Sequence, residues 1–579
     1  MRHTPLTVLA AAAAVAAHVW LGWGMIRVSA PTFDEPVHLA SGYQDLVTGT
    51  YRLNSQDHPP LAEMWGALPL LALKPSAMFQ HPDLMSRRVY NFADAFLYKN
   101  RVDPERMLDT ARTWCLITWA ALLGWAVMTW SLRLSGPVGM AAAGALYAFC
   151  PVLVSNSALV TTDAASACLF FVTFWLLSGS SGAPGSRPPA ASGERPAPSE
   201  TWSPGSRPLW RWAGAGAAMG LAMAAKFNMF ILPILVLAML AAERRLAAKL
   251  AGPGERKPAM PWGGAAVLAV SALGALALVY RFESVGLYAE GLQATLGRLG
   301  EGRSSFFFGR HSSSGWLAYF PVALLVKTPV PTLILAGLGA WLWLRAPDPA
   351  RLWAAAPAAG YLLAALLSRT QIGIRHILPV FPFLILMAAD AAAWLWAGTW
   401  GRRWAVLGLG LWLAGSVLRV HPHHLAYFNE AAGGPSRGFR WFVDSNLDWG
   451  QGLKELGKIL AGMGNPPVYL CYFGVADPSY YGIRYTPAAF IDNVERREGR
   501  AEPGPEEPVL LAVSATNRVA TYYARKDLFA WLETRTPVAV AGHSIFLYDL
   551  THDDDGLRML ASLLAASGEA DAARRLLSR

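Results

Sequence analysis

The chain has 579 residues, of which 54% are hydrophobic and only 15% are charged. Soluble globular proteins carry about 25% charged residues, so this composition disfavours a large water-soluble enzyme. The 49 Lys and Arg residues against 39 Asp and Glu give a net charge of +10, which alone could suggest a nucleic-acid partner. The 24 Trp residues and the long uncharged apolar runs indicate contact with membrane lipids instead, and no nucleic-acid partner is expected.

Apolar runs in chain order predict a helical membrane protein. A helix that crosses the roughly 30 Å hydrocarbon core of a bilayer needs about 20 mainly apolar residues. Eleven runs fit this description, at about residues 6–28, 112–132, 138–154, 164–178, 210–225, 229–242, 263–280, 317–344, 353–367, 377–397 and 404–419. The first run follows Arg2, is long for a signal peptide and lacks a convincing cleavage site, so we interpret it as a retained anchor. The runs on either side of Lys226 predict two short spans, because one span would place this lysine at mid-membrane.

The distribution of basic residues between the loops predicts the orientation. More Lys and Arg occur on one side of the predicted membrane, in the loops at 133–137, 179–210, 243–262, 345–352 and 398–403. The positive-inside rule makes these loops cytoplasmic, together with the N-terminus. Residues 179–209 are rich in Ser, Gly and Pro and predict a disordered cytoplasmic linker.

Two regions on the external side are large. The first loop, at 29–111, is rich in charged and aromatic residues and predicts short helices along the membrane interface. Residues 1–420 form the predicted membrane domain, and residues 421–579 predict a small external α/β domain. Its predicted strands are 467–473, 508–514 and 536–548, and its predicted helices are 446–461 and 555–577. No internal repeat is evident, which weakly disfavours the duplicated architectures of many transporters.

Acidic side chains gather at the external ends of the predicted spans. Asp34 and Glu35 follow the first span, and Asp57 and His58 precede a stiff Pro-Pro pair in the same loop. Asp163 stands alone between two apolar segments, where it could also cap the helix predicted from 164. Each acid alone has this kind of ordinary explanation. Three acidic clusters on one face of a mostly uncharged membrane region indicate a functional site.

Basic residues at the same predicted face complete the pattern. Lys226 lies at the turn between two predicted spans, and Arg375 and His376 open another span. Such residues commonly extend along apolar surface and anchor a helix at the membrane boundary, which is the alternative explanation. Acids and bases that converge at a membrane surface would suit a substrate with a phosphate group and a lipid tail.

The first external loop resembles a known superfamily. Phe33-Asp34-Glu35 with His38, followed by Asp57-His58-Pro59-Pro60-Leu61, is similar to the first loop of the protein O-mannosyltransferase superfamily. This superfamily, glycosyltransferase family 39 and its relatives, uses polyprenyl-phosphate-linked sugars, has the GT-C membrane fold and includes the lipid A aminoarabinose transferases. The likeness is strongest over roughly 1–165, extends through the motifs around Lys226 and Arg375, and is weaker in the external tail.

This resemblance implies a polytopic all-α GT-C bundle of about eleven transmembrane helices and a role for each matching residue. Asp34 matches the catalytic carboxylate and Glu35 its acidic neighbour. Asp57-His58 matches the acid and base before Pro-Pro, Asp163 the acid of the next external loop, and Lys226 a lysine that contacts the lipid phosphate. His58 departs from the aminoarabinose branch, which has Lys there, so metal use and substrate identity stay open.

The implied reaction is inverting transfer of a hexose or pentose at the external membrane face. Asp34 would remove a proton from the acceptor, and Lys226, Arg375 and His376 would bind the donor and its leaving phosphate. The acceptor would be a protein, a lipid or a glycan. Glu35, Asp57, His58 and Asp163 form a tentative ligand set for Zn²⁺, Mg²⁺ or Mn²⁺, but the acids could equally bind sugar hydroxyls without metal.

A second polar cluster lies in the tail, from Asp444 to Gln451. It predicts a capped helix, because Asp444 or Ser445 can accept from the first free amides and leucines follow at helical spacing. A role in positioning the acceptor is the alternative.

Two other classes of function stay open at this point. They are a transporter or flippase of lipid-linked sugars and a non-catalytic scaffold for polysaccharide assembly. A transporter should place ionisable groups near mid-membrane, whereas these gather at one boundary. The predicted location is a bacterial inner membrane, with the active site and the tail domain facing the periplasm or the exterior.

Overall fold

A computed structural model of the protein describes residues 5–51, 53–178, 207–250, 262–346, 349–489 and 499–578. The linker predicted over 179–209 lies outside the described residues as far as residue 206.

The first two thirds of the chain is almost entirely helical. Its helices are α1 (Pro5–Val28), α2 (Glu35–Thr48), α3 (Pro60–Ala67), α4 (Leu70–Leu73), α5 (Pro82–Met85), α6 (Val89–Tyr98), α7 (Pro104–Ala148), α8 (Pro151–Ser157), α9 (Thr162–Leu177), α10 (Leu209–Ala225), α11 (Leu232–Leu250), α12 (Trp262–Val279), α13 (Gly286–Glu301), α14 (Tyr319–Lys327), α15 (Val330–Arg345), α16 (Pro349–Leu366), α17 (Phe381–Trp396) and α18 (Trp400–Leu418). Two short 3-10 segments, Phe227–Ile231 and Ile374–Val380, precede α11 and α17.

All eleven predicted apolar segments lie in helices, but fewer helices qualify as spans by themselves. Within the described residues, five helices are long and apolar enough to cross a membrane: Thr7–Val28, Pro104–Ala148, Phe227–Arg245, Trp262–Val279 and Ile374–Trp396. The pairs α8 with α9 and α14 with α15 are bent by 117° and 119°, and counting each pair as one span raises the number to seven. The rest are shorter or less apolar helices packed around them.

Helix breaks at proline and glycine explain part of the difference between the number of predicted spans and the number of helices that qualify as spans. Helix α7 has 45 residues and joins the span predicted at 112–132 to the first part of the one predicted at 138–154, with a kink where Gly136 has a φ of 70°. The rest of that second span lies in α8. Pro137 follows Gly136, lacks an N–H and cannot continue the hydrogen-bond ladder. The span predicted at 317–344 is bent at Thr328 and Pro329, between α14 and α15.

Outward-facing apolar side chains indicate that these helices meet lipid. Exposed residues on the bundle include Trp20, Trp23, Ile117, Trp125, Val270, Leu273, Leu278, Leu363, Leu407 and Leu411. Inside the bundle, Gly216 and Gly220 let α10 lie directly against α12, since a Cβ on either would overlap a carbonyl group of α12. Length, apolarity and outward-facing side chains together describe a multi-pass membrane protein.

The tail contains a mixed sheet flanked by helices. Its elements follow a small hairpin, β1 (Ser305–Phe307) with β2 (Arg310–Ser312), and are α19 (Leu453–Gly462), β3 (Val468–Cys471), β4 (Tyr485–Pro487), β5 (Leu510–Ser514), α20 (Ala515–Arg518), β6 (Ala539–Ala541), β7 (Ile545–Asp549), α21 (Asp554–Ala566) and α22 (Ala570–Leu577). The strand order is β4-β3-β5-β7-β6, parallel through the first three strands and antiparallel through the last two pairings.

The predicted strands at 467–473 and 508–514 correspond to β3 and β5, and the one at 536–548 is a hairpin of two strands. The predicted helix at 446–461 begins only at Leu453, and the one at 555–577 is divided into α21 and α22.

Candidate active site

Asp34 lies in the turn between α1 and α2 and contacts an arginine that is distant in sequence. Its Oδ2 atom accepts a hydrogen bond from Nη1 of Arg375 at 3.0 Å. The Asp34 side chain keeps 24% of its surface exposed, and Arg375 keeps 11%. This ion pair therefore lies at an opening and not in the sealed core.

Two more charged residues join this pair. Asp163, in the first turn of α9, places Oδ2 at 3.5 Å from Nη1 of Arg375. Its other carboxylate oxygen forms a close ion pair with Nζ of Lys226, in the extended link between α10 and the following 3-10 segment. Asp163 does not cap α9 with its side chain, so the capping alternative does not apply. Asp34, Asp163, Lys226 and Arg375 thus meet from four separate places in the chain, and we call them the charge quartet.

The tail segment predicted to be a helix start holds the quartet in place. Ser445 Oγ accepts from Nε of Arg375 at 3.1 Å, and Asn446 Oδ1 accepts from the backbone N–H of Ile374 at 2.8 Å. The guanidinium of Arg375 also lies over the ring of Trp449, 4.0 Å from its centroid. The capped helix predicted here is wrong, because Asp444 has a φ of 56° and residues Asp444–Asn446 form one isolated 3-10 turn.

Further contacts tie this tail segment to the membrane bundle. Lys327 of α14 is buried, and its Nζ donates to the carbonyl oxygens of Asn446 and Leu425. On the other side, the backbone N–H of Phe33 donates to the Trp449 carbonyl at 2.9 Å. Asp34, the residue after Phe33, is therefore positioned by the same segment that positions Arg375.

The surroundings of Asp34 favour its charged form. Burial opposes ionisation, but the Arg375 guanidinium, with His38 nearby, keeps the pKa of Asp34 below its ordinary value. Among the described residues, the second oxygen, Oδ1, makes no hydrogen bond. Asp34 is thus a carboxylate with one oxygen available to a ligand.

A histidine pair lies next to Asp34. His38 Nδ1 lies 2.9 Å from Glu63 Oε1, which also accepts from Asn54 at 2.6 Å. The His58 ring meets the His38 ring edge-on, with centroids 4.8 Å apart. Burial and the adjacent His38 hold the pKa of His58 well below its usual range, so His58 is neutral.

Glu35 was expected to share the catalytic and metal-binding roles, and its contacts correct this expectation. Its side chain is fully buried, and both carboxylate oxygens accept from Arg112 of α7, at 2.8 and 2.6 Å. The backbone N–H groups of Thr32 and Val160 donate to the same carboxylate. Both carboxylate oxygens are thus occupied by donors of the protein, and Glu35 joins the first loop to α7 and to the turn between α8 and α9.

The tentative metal set does not assemble. Glu35 is enclosed, Asp163 is paired with two cations, and Asp57 is half exposed and paired with Arg298 of α13. Across the described ranges, no group of three or more His, Cys, Asp or Glu side chains is arranged to hold a metal ion. These four residues do not fit a shared ion, and we derive no step through one.

His376 lies beside the quartet and has a free ring nitrogen. Its carbonyl oxygen accepts from the Tyr361 hydroxyl at 3.1 Å, and Tyr361 in turn accepts from Asn228. The buried Nε2 atom has no hydrogen-bond partner among the residues that the structure describes. An unpaired buried nitrogen at a charged site fits a contact with a bound ligand.

Two polar residues near the site, Arg303 and Tyr522, were missed by sequence reasoning. Arg303 precedes β1, and its guanidinium lies over the Tyr522 ring, 5.2 Å from the centroid. The Tyr522 hydroxyl donates a close hydrogen bond to Asp444 Oδ2. Burial raises the pKa of Asp444, with Arg303 and Arg375 opposing this effect. Neither Arg303 nor Tyr522 lies in a pattern that marks it in the sequence, whereas Asp444 belongs to the polar cluster found in the tail.

Comparison with known proteins gives structural matches only. No protein-family model matches the chain, and neither does any curated protein. ArnT from Cupriavidus metallidurans bound to undecaprenyl phosphate, a lipid A aminoarabinose transferase, is 14% identical, with a TM-score of 0.47 over 95% of this chain and 99% of that one. The Archaeoglobus fulgidus oligosaccharyltransferase AglB, in complex with an inhibitory peptide and a dolichol-phosphate, is 12% identical, with a TM-score of 0.40 over 69% of this chain and 54% of that one.

Another structure of that oligosaccharyltransferase, in complex with Zn and sulfate, is 13% identical, with a TM-score of 0.39 over 78% of this chain and 55% of that one. Because all of these TM-scores lie below 0.5, the function of this chain has to be argued from its own residues.

Proposed function

We propose that this chain is an inverting membrane glycosyltransferase that moves a sugar from a polyprenyl-phosphate donor to a nucleophile at the external membrane face. On this proposal it belongs to the GT-C superfamily that its first loop resembles. The observation that carries the proposal is the charge quartet, in which Asp34, Asp163, Lys226 and Arg375 meet at one partly open site.

Asp34 is the proposed general base. Its lowered pKa keeps it ionised near neutral pH, and Oδ1 can accept the proton of an acceptor hydroxyl. As the acceptor oxygen bonds to the anomeric carbon, the bond from that carbon to the phosphate oxygen breaks. The proton goes to Asp34, and the electron pair of the broken bond goes to the lipid phosphate.

Lys226 and Arg375 are the proposed stabilisers of that phosphate. Both already face carboxylates across short distances, so they are fixed in place before a ligand arrives. Arginine can bind two phosphate oxygens at once, and lysine adds a compact positive charge. The free Nε2 of His376 is a further contact for the donor.

The proposed location and orientation are inferred from the Lys and Arg residues of the loops predicted to be cytoplasmic. The location is a bacterial inner membrane, with the quartet facing the periplasm or the exterior. The experiment below identifies the donor sugar and the acceptor.

The test is transfer by the purified full chain from a panel of polyprenyl-phosphate sugars, with products identified by mass spectrometry. We expect released polyprenyl phosphate and a glycosylated acceptor, and Asp34→Asn should lower the rate at least about 100-fold. Asp527→Asn is the matched control, because this aspartate is 72% exposed and lies in the tail. An active Asp34→Asn enzyme would exclude Asp34 as the base, and vesicle uptake of donor without covalent transfer would indicate a transporter.

A further inference from the structure

An open groove runs along one face of α7, where this helix enters the predicted membrane. Its volume is about 500 Å³, within the range of about 300–1,000 Å³ that is usual for small-molecule sites. We call it the α7 groove. It is lined by one residue before α4 and by seven residues of α7, which are Pro69, Glu105, Arg106, Asp109, Thr110, Thr113, Trp114 and Ile117.

The lining changes along α7 from charged residues through two threonines to apolar residues. The span predicted from the sequence begins at about residue 112, so the charged part lies outside the hydrocarbon core and the apolar part lies within it. Ile117, at the apolar end, is 48% exposed and faces lipid. From Glu105 to Ile117 the helix rises about 18 Å. A phospholipid in the external leaflet has the same order, with a charged headgroup, polar ester groups and then acyl chains.

The two threonines of the groove differ from threonines elsewhere in the bundle. The hydroxyls of Thr118 in α7 and Thr173 in α9 each donate to the carbonyl oxygen four residues earlier, at 2.8 Å. Among the described residues, the hydroxyls of Thr110 and Thr113 make no hydrogen bond, and both residues are partly exposed. The buried indole Nε1 of Trp114 also has no partner there. The middle of the groove therefore offers polar groups that the protein does not use.

Two opposite charges at the outer end of the groove are not matched by the protein. Arg106 is exposed, and none of the salt bridges in the described ranges includes it, whereas Glu105 has a lysine partner in α19 at 2.6 Å. Asp109 is 35% exposed and lies 3.6 Å from Arg112, an arginine that Glu35 already binds through two hydrogen bonds. Arg106 and Asp109 lie three residues apart on one face of α7 and do not pair with each other. The groove thus presents one available cation and one available anion.

We propose that the α7 groove binds a phospholipid of the external leaflet whose headgroup carries a phosphate and a primary ammonium, as phosphatidylethanolamine does. Arg106 binds the phosphate, and Asp109 accepts hydrogen bonds from the ammonium. A two-carbon chain joins phosphate and ammonium in this headgroup, so their spacing suits two side chains one helical turn apart. The hydroxyls of Thr110 and Thr113 donate to the ester groups, and the acyl chains continue along Ile117. This inference goes beyond the proposed transfer reaction and does not depend on it.

Three phospholipids with identical acyl chains test this site, by native mass spectrometry of the detergent-purified full chain. Phosphatidylethanolamine carries both charges, phosphatidylcholine carries a quaternary ammonium that cannot donate a hydrogen bond, and phosphatidylglycerol carries no cation. We expect phosphatidylethanolamine to bind about tenfold more tightly than either of the other two. Equal binding of the three lipids would overturn the proposal.

Substitutions in the groove locate the binding site. Arg106→Gln should weaken binding of phosphatidylethanolamine about tenfold, and Asp109→Asn should remove its preference over phosphatidylcholine. Arg87→Gln, which changes an exposed arginine of the first loop that does not line the groove, should alter neither. Unchanged binding in both groove variants would place the lipid elsewhere and overturn the assignment.

A further arm separates this site from that of the proposed donor. Asp109 is connected to Asp34 through Arg112 and Glu35, a pair with no exposed side-chain surface, so the groove and the charge quartet are different sites. Undecaprenyl phosphate should therefore bind wild type and Arg106→Gln equally. If Arg106→Gln lost undecaprenyl phosphate and kept phosphatidylethanolamine, the groove would hold the donor phosphate and the phospholipid inference would fail. A chain that transferred no sugar should still prefer phosphatidylethanolamine, so failure of the proposed function is distinguishable.

Discussion

Two ion-pair clusters begin at adjacent residues of the first loop, and they differ in their exposure to the outside of the protein. The pair of Glu35 with Arg112 is sealed, with no exposed side-chain surface on either partner. The charge quartet around Asp34 is open, because Asp34 and Arg375 both retain exposed surface. Every oxygen of Glu35 has donors from the protein, whereas Asp34 keeps one oxygen for a ligand.

This difference shows how one acidic dipeptide can serve two purposes. Glu35 is the first residue of α2 and points back into the junction with α7, and Asp34 precedes the helix and faces the quartet. A buried ion pair with complete hydrogen bonding fixes the loop in one conformation. The neighbouring residue, Asp34, can then lie at an opening, where Arg375 pairs with its charge.

The largest expected effect is on the sealed cluster. Glu35→Gln leaves Arg112 as a buried charge without its partner, which should cost about 3–5 kcal/mol of stability. Thermal unfolding of the detergent-purified protein measures this loss. A stable Glu35→Gln protein with abolished transfer would instead return Glu35 to the catalytic site.

Asp109→Asn is the matched control for this experiment. Asp109 also contacts Arg112, at 3.6 Å, but its side chain is 35% exposed. Its removal should change the free energy of unfolding by less than about 1 kcal/mol. Equal losses in the two variants would mean that enclosure of the Glu35 pair does not matter.

Substitutions in the charge quartet should change the rate of transfer and its pH dependence more than the stability of the protein. Arg375→Gln removes the proposed contact with the leaving phosphate and should lower kcat about 100-fold to 1,000-fold. It also removes the main cause that lowers the pKa of Asp34, and burial then raises this pKa. In wild type, Asp34 should stay ionised to a lower pH than an ordinary aspartate does. In the variant, the loss of activity on acidification should begin at a higher pH, because Asp34 takes up a proton there.

The measurement is the pH profile of kcat/KM, with Arg419→Gln as the control for an exposed arginine in an ion pair. An unchanged acidic limb in Arg375→Gln would show that the ion pair does not govern the protonation of Asp34.

Much of the fold follows from local sequence patterns. The apolar runs locate the helices, and short apolar runs next to turn residues locate β3 and β5. The number of spans is harder to derive, because a kink at Gly136 and a bend at Pro329 change how runs divide into helices. Strand β4 was missed because it has only three residues, one of them proline.

The site is predictable only as a set of candidate residues. Motifs and the resemblance they carry single out Asp34, Asp163, Lys226 and Arg375, but their contacts depend on how distant helices pack. Glu35 and Arg303 contact partners 77 and 219 residues away in the chain, Arg112 and Tyr522, and no local pattern contains these. Long-range pairing is set by packing and is invisible to helical or strand periodicity.

The smallest expected effect concerns the tail turn that supports the open cluster. Ser445→Ala removes the hydroxyl that accepts from Nε of Arg375, a hydrogen bond worth about 1–1.5 kcal/mol, so kcat/KM should fall about tenfold. Because Nη1 of Arg375 still pairs with Asp34, the acidic limb of the pH profile should stay in place, unlike in Arg375→Gln. Ser86→Ala, which removes an exposed local hydrogen bond to the Pro82 carbonyl, should leave kcat/KM unchanged. A shifted acidic limb in Ser445→Ala would mean that the tail turn controls the charge of Asp34 and not only the position of Arg375.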